Sequence, residues 1–248
     1  AAALDAGRTR LAEYAVVDAA GGLIHLECPL RVQFGADIVR GDTTLPPEMG
    51  EGDFRPARQW LALAVRSRLM PRVDLAALDL ALAATAQDGL SRCVHVAQAS
   101  LREPGFVGLV EQRLVAAAGA ARQLSIEWVE STQPAPAATL RQAAATWRRL
   151  GVRVGVEHAG ASPQALTLWQ AAGIDYVKID ARHLRGVADD EAVRGYAGSL
   201  VALVHGMGLK ALAAGITDES DLAALWALGF DGATGAAVTR ARAATNSM

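Results

Sequence analysis

Lysine is almost missing from this chain, with two residues against twenty-two arginines in 248. Other shortages are equally informative. Aromatic residues make up 5 % and the formal net charge is −2. There is therefore neither a basic footprint for DNA or RNA nor a set of stacking platforms for single strands. The apolar runs fall far short of the ~18 residues that a membrane helix needs. The opening Ala1-Ala2-Ala3-Leu4-Asp5 lacks a basic segment leading into an apolar core, so it does not read as a secretory leader. Only two cysteines occur, Cys28 and Cys93, both in apolar runs. They point to reduced, buried thiols and a cytoplasmic setting, including that of a membrane-anchored protein's cytoplasmic part.

Apolar content of 52 % in a chain of this length suits one large core. Short β-branched runs alternate with longer Ala/Leu-rich runs. The predicted strands are 13–18, 22–34, 92–97, 124–130, 152–157, 175–180, 209–214 and 230–234. The predicted helices are 56–69, 73–85, 104–118, 135–150, 163–172, 189–205, 219–228 and one from 236 onward. Pro104 and Pro163 suit first helical turns, Thr217-Asp218-Glu219 suits a cap, and Gly151, Gly173, Gly208 and Gly229 each end a helix before a strand. That beat is the cadence of βα units and implies a parallel sheet. Eight strands in one such chain fit an α/β TIM-like (β/α)8 barrel. Gly21-Gly22 is too tight a turn for a parallel crossover, so the first two strands pair antiparallel. The segment 35–53 reads as a surface loop, residues 1–10 as a helical lead-in from an upstream domain, and 11–248 as a single barrel domain.

One of the two lysines, Lys178, stands inside the apolar run Tyr176-Val177-Lys178-Ile179-Asp180. A buried ammonium is costly unless it is paired or used. It is either a strand-end lysine paired to Asp175 or Asp180, or a group that serves a site. Barrel chemistry gathers at the C-terminal strand ends. Those ends carry Glu27, His95, Glu127, Glu130, Glu157, His158, Lys178 and Asp180. Singly each has a plain explanation: Glu130-Ser131-Thr132 as a helix cap, Glu157 paired with Arg153, His95 as a core imidazole. Together they suggest a metal or phosphate site.

The order and spacing of these groups resemble the EAL family of cyclic-di-GMP phosphodiesterases, from about Leu11 to Ala237. Glu27-Cys28-Pro29-Leu30-Arg31 resembles the family's Glu-Ala-Leu-Leu-Arg. His95-Val96-Ala97, with Ser100 to Phe106 after it, resembles its Asn-x-Ser strand and Leu-x-x-Pro-x-Phe. Ile126-Glu127-Trp128-Val129-Glu130-Ser131 is similar to Glu-x-x-Glu-Ser, and Tyr176 to Asp180 to Lys-Ile-Asp. Glu157-His158 stands at the family's Asp-Asp, Ala213-Ala214-Gly215-Ile216-Thr217 at Ala-Glu-Gly-Val-Glu, and Thr234-Gly235 at Gln-Gly.

The resemblance implies a TIM-like barrel with one antiparallel strand. It also implies a site where two Mg²⁺ or Mn²⁺ ions activate water against a phosphodiester, giving linear pGpG. Hard dications need oxygen ligands. This chain departs from that pattern, with His95 for asparagine, Glu157-His158 for Asp-Asp, and no carboxylate at Ala214 or Thr217. A ligand displaced by about 1 Å already costs on the order of 100-fold in rate. The resemblance therefore implies a degenerate, non-catalytic member that needs no metal. Glu27 and Lys178 would be vestigial catalytic groups, and Glu27, His95, Glu127, Glu157 and His158 vestigial metal positions. Glu27, Arg31, Lys178 and Asp180 would serve as ligand contacts. Arg31 would fork onto a phosphate, or else pair with a neighbouring acid.

Three readings of function remain. The chain is a cyclic-di-GMP receptor in a bacterial signalling protein, a non-binding domain that signals through protein contacts, or a weak phosphodiesterase. A transition-ion site built from His95, His158, Glu157, Glu127 and Glu27 is a further alternative. Lys178 is expected between Asp180 and Glu127. A homodimer and attached signalling domains follow from the resemblance, and no DNA or RNA partner is implied.

Overall fold

The computed structural model describes residues 1–33, 54–129, 131, 133–159 and 163–245. The predicted surface loop 35–53, and Glu130 and Thr132 of the predicted cap, lie outside these residues. After one helical turn, Ala2–Asp5, come β1 (Thr9–Leu11), β2 (Tyr14–Val17), β3 (Leu23–Glu27), β4 (Leu30–Gln33) and β5 (Phe54–Arg55). Then β6 (Arg92–Val96), β7 (Leu124–Val129), β8 (Arg153–Ala159), β9 (Tyr176–Asp180), β10 (Lys210–Ala214) and β11 (Gly232–Ala233) alternate with helices.

Eight strands close a barrel in the order β10-β11-β2-β3-β6-β7-β8-β9. Strand β2 runs antiparallel to both of its neighbours, and every other barrel pairing is parallel. The Gly21-Gly22 turn accounts for this. The Asp18 carboxylate accepts from Ala20 N at 2.9 Å and Gly22 N at 2.8 Å, which closes a hairpin with no room for a crossover. No helix among the described residues is long and apolar enough to cross a membrane.

The predicted strand 22–34 is two strands in different sheets. Pro29 has no N–H to continue a ladder. The barrel pairing ends with Cys28 N donating to Cys93 O at 2.9 Å, and Pro29 O then accepts from Ala12 N at 3.0 Å. From there β4 pairs antiparallel with β1 and β5 in a three-stranded side sheet. The helix predicted over 104–118 starts only at Phe106, with Gly105 as its N-cap, so Pro104 lies ahead of the first turn. At 219–228 the cap is Asp218, whose side chain accepts from Ser220 N. Gly151, Gly173, Gly208 and Gly229 all take positive φ at helix ends.

Outside the barrel, Trp128 of β7 packs edge-on against Trp147 at 6.3 Å between ring centroids and tilted against Trp169 at 6.2 Å, tying two helices to the sheet. Inside, Gly155 of β8 gives its space to Tyr176 of β9, because a Cβ at Gly155 would overlap the Tyr176 ring. Gly155→Val is expected to lower stability by about 1–3 kcal/mol through overpacking. An unchanged urea midpoint for that variant would show that the ring has somewhere else to go.

Candidate functional site

Side chains alternate across a strand, so residues two apart share the barrel interior. Register aligns Glu27 with Cys93, His95 with Glu127, and Glu127 with Gly155. Inward-facing side chains therefore stack in layers. In the upper layer, toward the C-terminal mouth, are Glu27, His95, Glu127, Glu157 and Lys178.

Lys178 is fully buried and holds this layer together. Its ammonium donates to Glu27 Oε1 and, at 2.6 Å, to Glu127 Oε2. His95 Nε2 lies 3.2 Å from Glu157 Oε2 and 3.4 Å from Glu127 Oε2. Glu127 is fully buried, whereas the side chains of Glu27 and Glu157 keep 13 % and 16 % of their surface and His95 keeps 25 %. The mouth is thus open above Glu27, His95 and Glu157 and sealed below by Lys178 and Glu127.

Burial alone would drive every one of these groups toward its neutral form. For four of the five the partners win. Burial pushes Lys178 down, but Glu127 and Glu27 hold it well above the ordinary lysine range. Burial pushes His95 down, but Glu157 and Glu127 raise it well above ordinary imidazole. Burial pushes Glu127 up, yet Lys178 and His95 hold it well below the usual carboxylate range. Glu157 is likewise lowered by His95 against burial. Glu27 is the exception, since burial raises it despite the Lys178 ammonium. In formal charges the layer holds three carboxylates against one ammonium and one imidazolium, an excess of one negative charge.

Lys178 is expected from the sequence to pair with Asp175 or Asp180, or to lie between Asp180 and Glu127. Glu127 is a partner, and Glu27 takes the second place. Asp175 instead accepts from Val154 N at 2.8 Å and pairs with Arg148 at 2.9 Å. Asp180 stands one pleat nearer the mouth, accepts from Arg182 N at 2.8 Å and lies 3.6 Å from the Arg182 guanidinium. Glu157 meets His95, while Arg153 donates to Ile24 O at 3.5 Å. Arg31 lies on β4 of the side sheet and donates to the Tyr14 hydroxyl at 2.9 Å. His158 is on β8, and its side chain lies outside the described residues. Ala214 ends β10 beside Asp180.

Below this layer lies a second one that the sequence did not reveal as a unit. His25, Cys93 and Tyr176 surround the inner edge of Glu127. Tyr176 donates its hydroxyl proton to Glu127 Oε1 at 2.8 Å and stands 3.7 Å from Cys93 Sγ. Burial raises both Tyr176 and Cys93 well above their ordinary ranges. His25, 1 % exposed, is pushed down to about 3, chiefly by burial, so its imidazole is neutral. The signal available beforehand was the spacing of two, His25 to Glu27 and Cys93 to His95, which places all four on the inward face. Asp74 carries no motif that marks it in the sequence. It sits in the helix Met70–Asp88 and accepts from Ala97 N at 2.8 Å and Ser100 Oγ at 2.6 Å, anchoring the turn after β6. Two groups bring ligand atoms within 4.8 Å of one another, His95-Glu127-Glu157 and His25-Cys93-Glu127.

Comparison with known proteins bears on the family and the fold. The family model for the EAL domain matches residues 37–241. An EAL domain protein from Listeria monocytogenes EGD-e superposes with a TM-score of 0.80 at 17 % identity, covering 95 % of this chain and 89 % of that one. The FimX EAL domain from Pseudomonas aeruginosa, bound to c-di-GMP, gives 0.77 at 20 % identity over 95 % and 91 %. The apo S helix-GGDEF-EAL region of Vibrio cholerae LapD gives 0.81 at 18 % identity, covering 96 % of this chain and 55 % of that chain. At these identities the likeness establishes the fold. No curated protein matches the chain. The family match spans most of the sequence, and the chain belongs to the EAL domain family.

Proposed function

We propose that this chain is a receptor-type EAL domain that binds cyclic-di-GMP at the barrel mouth without hydrolysing it. The observation that carries the reading is the ion-pair layer itself. Active relatives hold Mg²⁺ or Mn²⁺ through oxygen ligands. Here the oxygens of Glu27 and Glu127 already accept from the Lys178 ammonium, and Glu157 and Glu127 share the His95 imidazole. A hard dication would have to displace a buried ammonium and accept an imidazole in place of an oxygen, with only a methyl group at Ala214. The residues do not fit a two-ion centre, and no hydrolytic step is assigned.

Arg31 supports ligand binding. It forms no ion pair with an acid among the described residues, and a guanidinium hydrogen-bonded to a neutral hydroxyl keeps its charge for a phosphate. Asp180, at the mouth, and the open edge of Glu27 are the further ligand contacts of this reading. The domain works in a bacterial cytoplasmic signalling protein, as a homodimer joined to further signalling domains.

Titration of cyclic-di-GMP into the chain by calorimetry tests the proposal. Saturable heat is expected, with Arg31→Ala weakening affinity about tenfold or more, as for the loss of a charge-assisted contact. Absence of heat at high micromolar ligand would leave only signalling through protein contacts. Linear pGpG formed at steady rates with Mg²⁺ or Mn²⁺ would overturn the non-catalytic assignment.

A further inference from the structure

The layer beneath the mouth contains a polar side chain that the fold leaves without a partner. His25 is 1 % exposed, and neither Nδ1 nor Nε2 has a hydrogen-bond partner among the described residues. Burying an unpaired imidazole costs on the order of 1–3 kcal/mol, so its presence calls for a reason. Its Nε2 stands 4.0 Å from Glu127 Oε1, and Cys93 Sγ completes a triangle whose ligand atoms all lie within 4.8 Å of one another. Tyr176 OH, 3.7 Å from Cys93 Sγ and 2.8 Å from Glu127 Oε1, closes the fourth side.

We propose that His25, Cys93 and Glu127 form a structural site for a borderline-soft divalent transition ion such as Zn²⁺, within the barrel and below the mouth. The donor set is one imidazole nitrogen, one thiolate and one carboxylate, the chemistry that Zn²⁺ prefers and Mg²⁺ avoids. Bonds of about 2.0–2.3 Å to a tetrahedral ion put ligand atoms about 3.3–3.8 Å apart. The site therefore needs a contraction of up to about 1.3 Å, within the reach of side-chain torsions on neighbouring strands.

Charge argues the same way. Uptake of a dication with loss of the Cys93 thiol proton to solvent adds one positive charge to a layer with one negative charge in excess. Glu127 can serve both sides at once, because Lys178 takes Oε2 while Oε1 faces His25 and Tyr176. Lys178, which donates to the other oxygen of Glu127, is also paired with Glu27. His25, Cys93 and Glu127 are buried from solvent, so the ion would be taken up as the barrel folds and would exchange slowly.

The test is to produce the intact chain with cobalt(II) supplied, then measure metal content and the sulfur-to-cobalt charge-transfer absorption. The expected result is about one ion per chain with a thiolate band. Cys93→Ser should abolish the band, and His25→Phe should lose both ion and band. Cys28→Ser, which removes a thiol bonded to Leu26 O, should change neither. A metal-free wild-type chain would overturn the proposal, and a water molecule bridging His25 would then explain its unpartnered nitrogens. A band that survives Cys93→Ser would also overturn it. So would an ion kept by Cys93→Ser but lost by His95→Gln, which would place the metal at the mouth. Should Cys93→Ser not fold, the wild-type and Cys28→Ser spectra still decide, since only two thiols exist in the chain.

Discussion

Lys178→Met is expected to lower folding stability by about 3–5 kcal/mol near neutral pH, the loss usual when one partner of a buried ion pair is removed. Methionine keeps the volume of the stem, so a cavity is not the cause. The loss arises because Glu27 and the fully buried Glu127 would then face each other with no ammonium between them. The stranded carboxylates would relieve this by taking up a proton. Their folded pKa would rise above the unfolded value, so the variant would be stabilised by acid and lose stability as pH rises. In the wild type Glu127 itself has the opposite sign. Glu127 is held well below the usual range, and its contribution is lost as pH falls through that depressed value. Urea unfolding of both chains at about pH 5 and about pH 8 checks this: Glu127 of the wild type contributes fully at both, so the loss caused by Lys178→Met should be larger at about pH 8 than at about pH 5. Adding Glu127→Gln to Lys178→Met should recover part of the loss, and no recovery would mean that Lys178 acts through its stem.

The second large effect is a pH dependence centred on Asp74. Burial pushes its carboxyl up to about 7, against the pull of its bonds from Ser100 and Ala97. A carboxyl whose folded pKa is raised favours the protonated form in the fold. Its contribution to stability is full below its unfolded pKa, declines as pH rises, and is gone once pH passes about 7. The decline amounts to at most about 1.4 kcal/mol per pH unit and on the order of 4 kcal/mol in all. Asp74→Asn keeps an oxygen for both donors and carries no charge, so it is expected to flatten this part of the profile and to exceed the wild type in stability above neutrality. Parallel profiles for the two chains, measured by denaturant unfolding across that range, would show that Asp74 stays ionised. Asp74 fixes the turn that follows His95, so its ionisation state bears on the barrel mouth.

Much of the candidate site was legible beforehand, and the failures have physical causes. That Glu27, His95, Glu127, Glu157 and Lys178 would converge follows from alternation along strands and from the rule that a barrel gathers chemistry at its C-terminal strand ends. Which carboxylate meets which cation does not follow, because partners are set by the stagger between strands. Sequence proximity favoured Asp180 for Lys178. Yet residues two apart on one strand point along parallel directions, and the ammonium reaches across the barrel to Glu27 and Glu127 instead. The split of 22–34 could have been anticipated at Pro29, whose missing N–H ends the barrel ladder; the hydrophobic pattern runs on through it because β3 and β4 each bury part of one face.

The sequence by itself determined the order of the barrel strands, the antiparallel hairpin at Gly21-Gly22, and the family, since each rests on local periodicity, turn chemistry or ordered motifs. Only the tertiary structure decided depth. It placed Lys178 beneath the mouth as the counter-charge of two glutamates, and Arg31 on the side sheet against Tyr14. It gathered His25, Cys93 and Tyr176 into a layer of their own around the far oxygen of Glu127. A period of two says which face of a strand a residue occupies. How far down the barrel it sits depends on closure and stagger of eight strands, which no local stretch of sequence contains.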